Sequence, residues 1–279
     1  MKKLLISCGI VCSLATVSHA DERLFPAAIL DRGETDILFD VSVDHISANA
    51  IFQGLPGSQT LDLTREYLRV RYGLGGDWQI GAALRYDSRY VVHSDFMFNI
   101  PEFERIPVRL ISKRYEGRQN PTLSASYALV NDPSRAYTLI GDMQLSPNTT
   151  GQPGNSSLGF TVAASGNASV KPYLSCQATI YRSSNVADSS LVSAGFYVYA
   201  DRLALVPHAS YARYQATPGF QSQAQSSIGI SAQLRLARGS YLIPDLNLYS
   251  NSAGDSKDGL FHRDMGRGKA LALGWYQLF

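Results

Sequence analysis

Apolar and polar residues alternate with a period of two in one segment after another along this chain of 279 residues. In residues 35–47, for example, Ile37, Phe39, Val41 and Val43 alternate with neighbours that are mostly polar. Successive side chains of a β-strand point to opposite faces, so each such segment is typical of a strand with one apolar face. The repeated pattern predicts an all-β fold of about twelve strands, with about ten or fourteen as the alternatives.

The connections between these segments are alternately short and long. The short ones lie near residues 75–77, 131–135, 165–169, 200–202 and 237–239. The longer ones lie near residues 48–62, 91–120, 147–155, 183–189, 214–224 and 251–268. Short periplasmic turns and longer extracellular loops are typical of a transmembrane barrel whose two termini lie in the periplasm. We therefore predict a closed, antiparallel, up-and-down transmembrane β-barrel.

Closure is a physical requirement of such a sheet. Hydrocarbon offers no partner to a backbone N–H or C=O group, so the first strand has to pair with the last. Most of the segments reach the roughly 9–11 residues that a tilted strand needs to cross a bilayer. The connection 91–120, which contains Pro101 and Pro107, is predicted either to extend the flanking strands or to fold into the lumen.

The first twenty residues have the three parts of a secretory signal peptide. Lys2 and Lys3 form a positive start, residues 4–17 are apolar, and Ser18-His19-Ala20 forms a small-residue cleavage site. The predicted organisation is a signal peptide at 1–20 and one barrel domain at 21–279, with a periplasmic N-terminal segment at 21–34. Export and a barrel together predict the outer membrane of a Gram-negative bacterium. The expected partners are outer-membrane lipids, the barrel-assembly machinery and a small-molecule solute.

Charge and cysteine content exclude several classes of function. Two of the 25 basic residues belong to the signal segment, which leaves basic and acidic residues equal in number in the rest. Nucleic-acid partners demand a basic surplus, so none is expected. Cys176 is the single cysteine beyond the signal segment, so no intramolecular disulfide can form. No metal or cofactor is predicted, because His, Cys, Asp and Glu show no ligand spacing.

The end of the chain resembles the C-terminal recognition segment of outer-membrane barrel proteins. The residues that carry this resemblance are Leu271, Leu273, Trp275 and the terminal Phe279. Gln277 departs from the pattern, because an aromatic residue is usual at that position. The resemblance implies that this segment is a membrane-insertion signal.

A hairpin within residues 66–86 resembles one in the transporter barrels of the meta-pathway of phenol degradation family. Tyr72-Gly73-Leu74 leads there to an alternating strand that ends on the aromatic Tyr86. The match covers this one hairpin. It implies passage of small molecules, aromatic ones among them.

The polar face of each strand points into the lumen of a barrel and determines what passes. The alternation assigns these charged residues to that face: Asp40, Asp44, Arg65, Arg69, Arg71, Arg85, Asp87, Arg89, Arg235 and Asp245. Asp40 and Asp44 are expected to form salt bridges with Arg69 and Arg71. The arginines either form a ladder that favours anions or polarised solutes at a constriction, or belong to a charge network that fills the lumen. Five lumenal tyrosines form either an aromatic path for a hydrophobic ligand or ordinary wall: Tyr67, Tyr173, Tyr181, Tyr197 and Tyr249.

Two His-x-Ser triplets raise a catalytic alternative. In His45-Ile46-Ser47 and in His208-Ala209-Ser210 the period of two places His and Ser on one face, as a base and a nucleophile require. The first resembles the His-x-Ser of outer-membrane phospholipases but lacks the Asn-Gly that follows it there.

The predicted function is a channel or facilitator for passive passage of small solutes, and not an enzyme. The alternatives are a structural, surface-interaction or export-associated barrel, and a lipid hydrolase that uses His45 and Ser47.

Overall fold

Sixteen strands occur in the described part of the chain. The structure, a computed structural model, describes residues 29–98, 106–113, 117–131, 135–164, 170–200 and 202–279, so the predicted signal peptide lies outside the described residues. In chain order the strands are β1 (Thr35–Phe52), β2 (Leu55–Gly75), β3 (Trp78–Phe98), β4 (Ile106–Lys113), β5 (Gly117–Arg118), β6 (Thr122–Val130), β7 (Tyr137–Ser146), β8 (Asn155–Ala164), β9 (Val170–Tyr181), β10 (Ser189–Ala200), β11 (Leu203–Tyr214), β12 (Gln223–Ala237), β13 (Ser240–Asn251), β14 (Gly254–Asp255), β15 (Phe261–Arg263) and β16 (Gly266–Leu278). No helix among these residues is long and apolar enough to span a membrane.

Twelve of these strands form a closed antiparallel ring. Their order around the ring is β1, β2, β3, β6, β7, β8, β9, β10, β11, β12, β13 and β16, and β16 pairs with β1 again. The closing register runs from Asp36 opposite Leu278 to Ser47 opposite Arg267. The predicted all-β, closed, up-and-down transmembrane barrel of about twelve strands is therefore confirmed.

The ring has two different ends. Both ends of the described chain lie at one end, together with the strand ends that flank 76, 131–136, 165–169, 201 and 239, and we call it the short-turn end. The strand ends that flank 99–121, 147–154, 182–188, 215–222 and 252–265 lie at the opposite end, which we call the long-loop end.

The period of two places apolar side chains on the outer surface of the ring and polar ones inside. Phe39, Val43 and Leu68 are exposed on the outer face, whereas Asp36 and Asp44 are buried on the inner face. Exposed large apolar side chains recur on all twelve wall strands. Such a continuous outer band matches the hydrocarbon core of a bilayer.

The strands at the long-loop end are longer than the sequence predicts. β1 and β2 continue through the predicted loop at 48–62 and meet at Gln53-Gly54, both of which have a positive φ, as a tight hairpin turn requires. Close packing of β2 on β3 requires a glycine at position 57, because a Cβ there would lie 2.1 Å from the carbonyl oxygen of Asp95 on the neighbouring strand. Gly57 therefore serves close strand packing, Pro56 is a strand residue opposite Ile51, and the prediction of a loop was wrong.

The connection 91–120 extends its flanking strands, as one of the two predictions stated. β3 continues to Phe98, and β4 pairs with residues 91–98 to form a hairpin beyond the ring. The described parts of this connection therefore build wall at the long-loop end.

The N-terminal segment lies against the inner wall at the short-turn end. The backbone N–H of Leu30 donates to Oε1 of Gln79 at 3.3 Å, and Leu30 is buried. Gly73 allows the approach, because a Cβ there would lie 2.0 Å from the carbonyl oxygen of Asp31. Residues 29–34 of the predicted periplasmic segment thus lie in the mouth of the ring.

The outer band predicts that the cost of a charge depends on depth. Leu273→Arg places a guanidinium on the outer face near the middle of β16, where such a substitution costs about 2–4 kcal/mol. Gln277→Arg, four residues nearer the short-turn end, is the matched control and is expected to cost about 1 kcal/mol or less. The free energy of unfolding in phospholipid vesicles, measured by denaturant titration, checks both values. Equal costs at the two positions would contradict a membrane-spanning band.

Candidate functional site

A cavity of about 460 Å³ lies in the lumen. It reaches the long-loop end, where residues 119–120, 151–153, 183 and 185–186 line it. The charged residues that line it are four carboxylates and two guanidiniums, namely Asp40, Asp44, Asp87, Asp245, Arg65 and Arg85. All six are among the residues that the sequence places on the lumenal face, so the structure brings this part of the predicted set together.

Asp87 is the centre of an ion-pair cluster in the cavity wall. Arg85 donates to both carboxylate oxygens of Asp87, from Nε at 2.8 Å and from a terminal nitrogen at 2.7 Å. Nε of Arg65 lies 3.5 Å from the same carboxylate. Asp87 and Arg65 are buried. Both guanidiniums of the cavity therefore lie near Asp87, and the charge of Arg65 also acts on Asp44.

Arg69 and Arg71 lie outside the cavity, nearer the short-turn end. The register places Arg71 opposite Asp36 and Arg69 opposite Leu38, while Asp40 faces Tyr67. Nε of Arg71 donates to both oxygens of Asp36 at 3.0 Å, and its terminal nitrogen also bonds to that carboxylate. The predicted salt bridge of Arg71 with Asp40 or Asp44 is therefore wrong, because the β1–β2 turn sets a register that pairs Arg71 with Asp36.

Arg89 lies on the outer face, although the alternation predicts the lumen. The β2–β3 pairing shifts by one residue, with Arg65 opposite Asp87 but Thr64 opposite Arg89, so Ser88 is the extra residue of a bulge. The bulge reverses the faces of β3 beyond it. The side chain of Arg89 is 59% exposed and lies 3.8 Å from Asp62.

Arg235 is exposed and does not line the cavity. It belongs to the end of β12 that adjoins the short turn near Gly239, and the pairing of β12 with β13 is irregular between Arg235 and Ala237. Strand β12 thus continues beyond the cavity, whose last lining residue on this strand is Gln233.

The tyrosines divide into two groups instead of one path. Tyr67, Tyr181 and Tyr249 line the cavity. Tyr173 and Tyr197 form an edge contact, with ring centroids 5.7 Å apart, near the short-turn end. They belong to an apolar cluster of buried residues, Ala128, Ile140, Ala163, Tyr173, Tyr197 and Val206.

The apolar cluster fills the short-turn half of the lumen along β6–β11. The cluster residues lie at the ends of these strands that adjoin the short turns. The residues of the same strands that line the cavity lie nearer the long-loop end. Ile29 of the N-terminal segment packs against the cluster. The cluster and the N-terminal segment therefore lie between the cavity and the short-turn end on this side of the ring.

Asn120 and Tyr90 are lining residues that the sequence does not reveal. The side-chain oxygen of Asn120 accepts from the N–H groups of Thr149 and Thr150, and its amide donates to the carbonyl oxygen of Gln152. Asn120 thereby holds the 147–154 connection at the cavity mouth. Tyr90 lies inside because of the Ser88 bulge, and neither feature has a local sequence signal.

His45 and Ser47 lie on the outer face just beyond the apolar band, and both are exposed. Nδ1 of His45 lies 2.7 Å from Oδ1 of Asp62, which is the contact that orients a catalytic base. Ser47 is paired with Arg267 on one side and with Thr60 on the other. The backbone N–H groups around Ser47 are therefore engaged in the sheet, and they are not available to stabilise an oxyanion.

His208 and Ser210 lie inside the ring with separate partners. Nδ1 of His208 contacts the carbonyl oxygen of Val206 at 3.0 Å, and Nε2 contacts Oδ1 of Asn247 at 2.9 Å. The hydroxyl of Ser210 lies 2.7 Å from that of Ser227. Both ring nitrogens of His208 are engaged elsewhere, so it does not activate Ser210.

A second charged group lies at the long-loop end, outside the membrane-spanning part. His262 on β15 contacts Asp255 through Nδ1 at 2.5 Å and Asp264 through Nε2 at 3.1 Å. The hydrogen bond to Asp255, followed by that to Asp264, raises the pKa of His262 above its ordinary value. The described residues contain no group of three His, Cys, Asp or Glu side chains arranged for a metal ion.

The predicted insertion residues Leu271, Leu273, Trp275 and Phe279 are all exposed, and the first three alternate with inward-facing residues of β16. They therefore belong to the outer band. Their role as an insertion signal stays a prediction.

Solved outer-membrane barrels have a similar fold. The COG4313 outer membrane channel from Pseudomonas putida F1 is 13% identical, with a TM-score of 0.54, over 92% of this chain and 100% of that one. The KdgM porin is 6% identical, with a TM-score of 0.46, over 85% and 98%. The outer membrane protease OmpT from Escherichia coli is 9% identical, with a TM-score of 0.40, over 92% and 99%. At these identities the likeness concerns the fold alone.

No protein-family model and no curated protein matches the chain. The closed twelve-stranded antiparallel ring has the fold of the COG4313 channel. Membership of the phenol-degradation transporter family is not confirmed and stays a prediction.

The ion-pair cluster predicts a large effect of Asp87→Asn. The substitution leaves two guanidiniums without their shared carboxylate in a buried wall, which costs roughly 3 kcal/mol of unfolding free energy. Asp62→Asn, on the outer face and partly exposed, is the matched control and is expected to cost less than about 1 kcal/mol. Denaturant titration in vesicles measures both. Equal losses for the two variants would show that Asp87 does not hold the cluster together.

Proposed function

We propose that this protein is an outer-membrane channel or facilitator for passive passage of small solutes. The observation that carries the proposal is the polar cavity inside the closed ring, which reaches the long-loop end. Polar and charged lumen walls are what channels of this architecture use to select solutes. The volume of about 460 Å³ fits a small molecule.

The proposed location is the outer membrane of a Gram-negative bacterium, with the long-loop end outward. The signal-like first twenty residues and the outer apolar band support this location. Lipids of that membrane and the barrel-assembly machinery are the proposed partners. The hairpin resemblance at 66–86 supports transport as the general role.

Solute that leaves the cavity toward the short-turn end meets the apolar cluster and the N-terminal segment. The apolar cluster and residues 29–34 occupy that end of the lumen on the β6–β11 side. The N-terminal segment is held there by the Leu30–Gln79 hydrogen bond and by packing of Ile29. Residues 29–34 are not part of a wall strand, so the segment can move aside when solute passes without opening the ring.

This mechanism predicts that shortening the N-terminus increases solute flux. A mature chain that starts at residue 33 lacks Ile29 and Leu30, and it should pass an uncharged sugar faster than the complete mature chain in a liposome-swelling assay. A chain that starts at residue 27 keeps both residues and is the matched control. Heat-dependent gel migration confirms folding of each variant.

Two results would contradict this proposal. Absence of swelling and of single-channel conductance for every variant would remove the channel function and favour a structural or surface-interaction barrel. Equal flux for the two truncated chains would leave a channel but remove the role of the N-terminal segment.

The lipid hydrolase has less support than the channel. The His45–Asp62 contact favours it, but the engaged backbone at Ser47 opposes it. We therefore expect the purified protein to release no fatty acid from phospholipid in detergent micelles, measured by titration of released acid. Release that disappears in both Ser47→Ala and His45→Ala would establish the hydrolase instead.

A further inference from the structure

One carboxylate in the cavity lacks a hydrogen-bonding partner. Asp44 is 1% exposed, it lines the cavity, and neither of its carboxylate oxygens has a hydrogen-bond partner. A buried carboxylate in such a position is costly unless donors reach it. Because native proteins rarely leave such groups unsatisfied, the side chain indicates a missing donor on the cavity side.

Two further carboxylates flank Asp44 across a floor of small residues. Asp40 lies on the same strand, four residues away and on the same face. Asp245 on β13 is opposite Ala272 of β16, and Ala272 is opposite Ser42 of β1, so Asp245 lies level with the middle of the Asp40–Asp44 stretch. Between the two acidic strands, β16 contributes Ala270, Ala272 and Gly274 to the cavity lining. We call this arrangement the acidic trough.

The arginines of the cavity offset the trough only in part. Arg85 binds both oxygens of Asp87. Arg65 is opposite Ser42, between Asp40 and Asp44, and its Nε also lies 3.5 Å from Asp87, so this one guanidinium is shared among several carboxylates. The cavity lining contains four carboxylates and two guanidiniums, which is a formal excess of two negative charges. The electrostatic environment of the trough therefore favours a cation, in contrast to the anion preference that the arginine content predicts.

The geometry favours an organic cation over a metal ion. Asp40 and Asp44 are four strand residues apart, about 13 Å along β1. Within the described chain no three acidic, His or Cys side chains converge as a metal requires. A protonated amine on a short chain carries three donors, which suits separated carboxylates along a trough. Tyr249, an aromatic residue, lines the same cavity.

We propose that the acidic trough of Asp40, Asp44 and Asp245 binds the protonated amino groups of a solute. This inference rests on the proposed function, since it names the class of solute that the lumen accepts. Each ammonium donates N–H hydrogen bonds to a carboxylate, and the small residues of β16 leave room for the aliphatic chain.

Isothermal titration calorimetry of the refolded, detergent-solubilised mature chain tests the proposal. The probe is putrescine, a four-carbon diammonium, and its counterpart is succinate, a four-carbon dianion. We expect the chain to bind putrescine in preference to succinate. Asp44→Asn should weaken putrescine binding by about tenfold or more, since a charged hydrogen-bonding partner is lost.

Matched variants separate the trough from general surface charge. Asp62→Asn removes a carboxylate from the outer face and should leave putrescine affinity unchanged, while Asp40→Asn is a second trough variant that should weaken it. Heat-dependent gel migration verifies that each variant is folded. Absence of putrescine binding, equal affinity in Asp44→Asn and the parent chain, or tighter binding of succinate would each overturn the proposal.

A parallel flux measurement keeps the two proposals distinguishable. Swelling of liposomes in an uncharged sugar measures the flux of a solute that does not bind the trough carboxylates. Flux without putrescine binding overturns the trough and leaves the channel intact. Putrescine binding that Asp44→Asn weakens, without flux, supports the trough as a binding site and removes the channel.

Discussion

Pairing of the backbone around the whole ring is the constraint on which the rest of the structure depends. Strand β1 pairs with β2 and with β16 at the same time, so among the described residues the ring of twelve strands closes on itself. A sheet that closes in hydrocarbon satisfies each N–H and C=O within itself. Closure also means that the two sets of alternating side chains on each strand face the lumen and the outer surface of the ring. The polar residues of every strand are thereby forced into one small volume, where their charges have to be balanced against each other.

Strand faces could be predicted from sequence wherever the pairing is regular. The assignments of Asp40, Asp44, Arg85 and Asp87 to the lumen needed only the period of two. The reversal at Ser88 could not be predicted, because a bulge depends on how two strands match in length and has no local signal in residues 86–90. Every face beyond the bulge changes, which explains why Arg89 lies outside.

Pairing partners were less predictable than faces. Which aspartate meets which arginine depends on the register, and the register of β1 with β2 is set by the turn at Gln53-Gly54. The glycines near this turn and Pro56 are typical of a long loop, so the sequence does not locate the turn. As a result the sequence predicted the kinds of charge in the lumen, but not that Asp36 would pair with Arg71.

The buried aspartates of the lumen differ in whether they have hydrogen-bond partners, and this difference points to a functional role and not to a stabilising one. Asp87 and Asp36 have arginine partners, while Asp44 is equally buried and has no hydrogen bond. A serine or threonine at position 44 would fit a lumenal strand position without that electrostatic cost. Local rules of protein stability are commonly broken at sites that meet a ligand. The small residues of β16 next to Asp44 fit this view, because they leave space where larger side chains would have completed the packing.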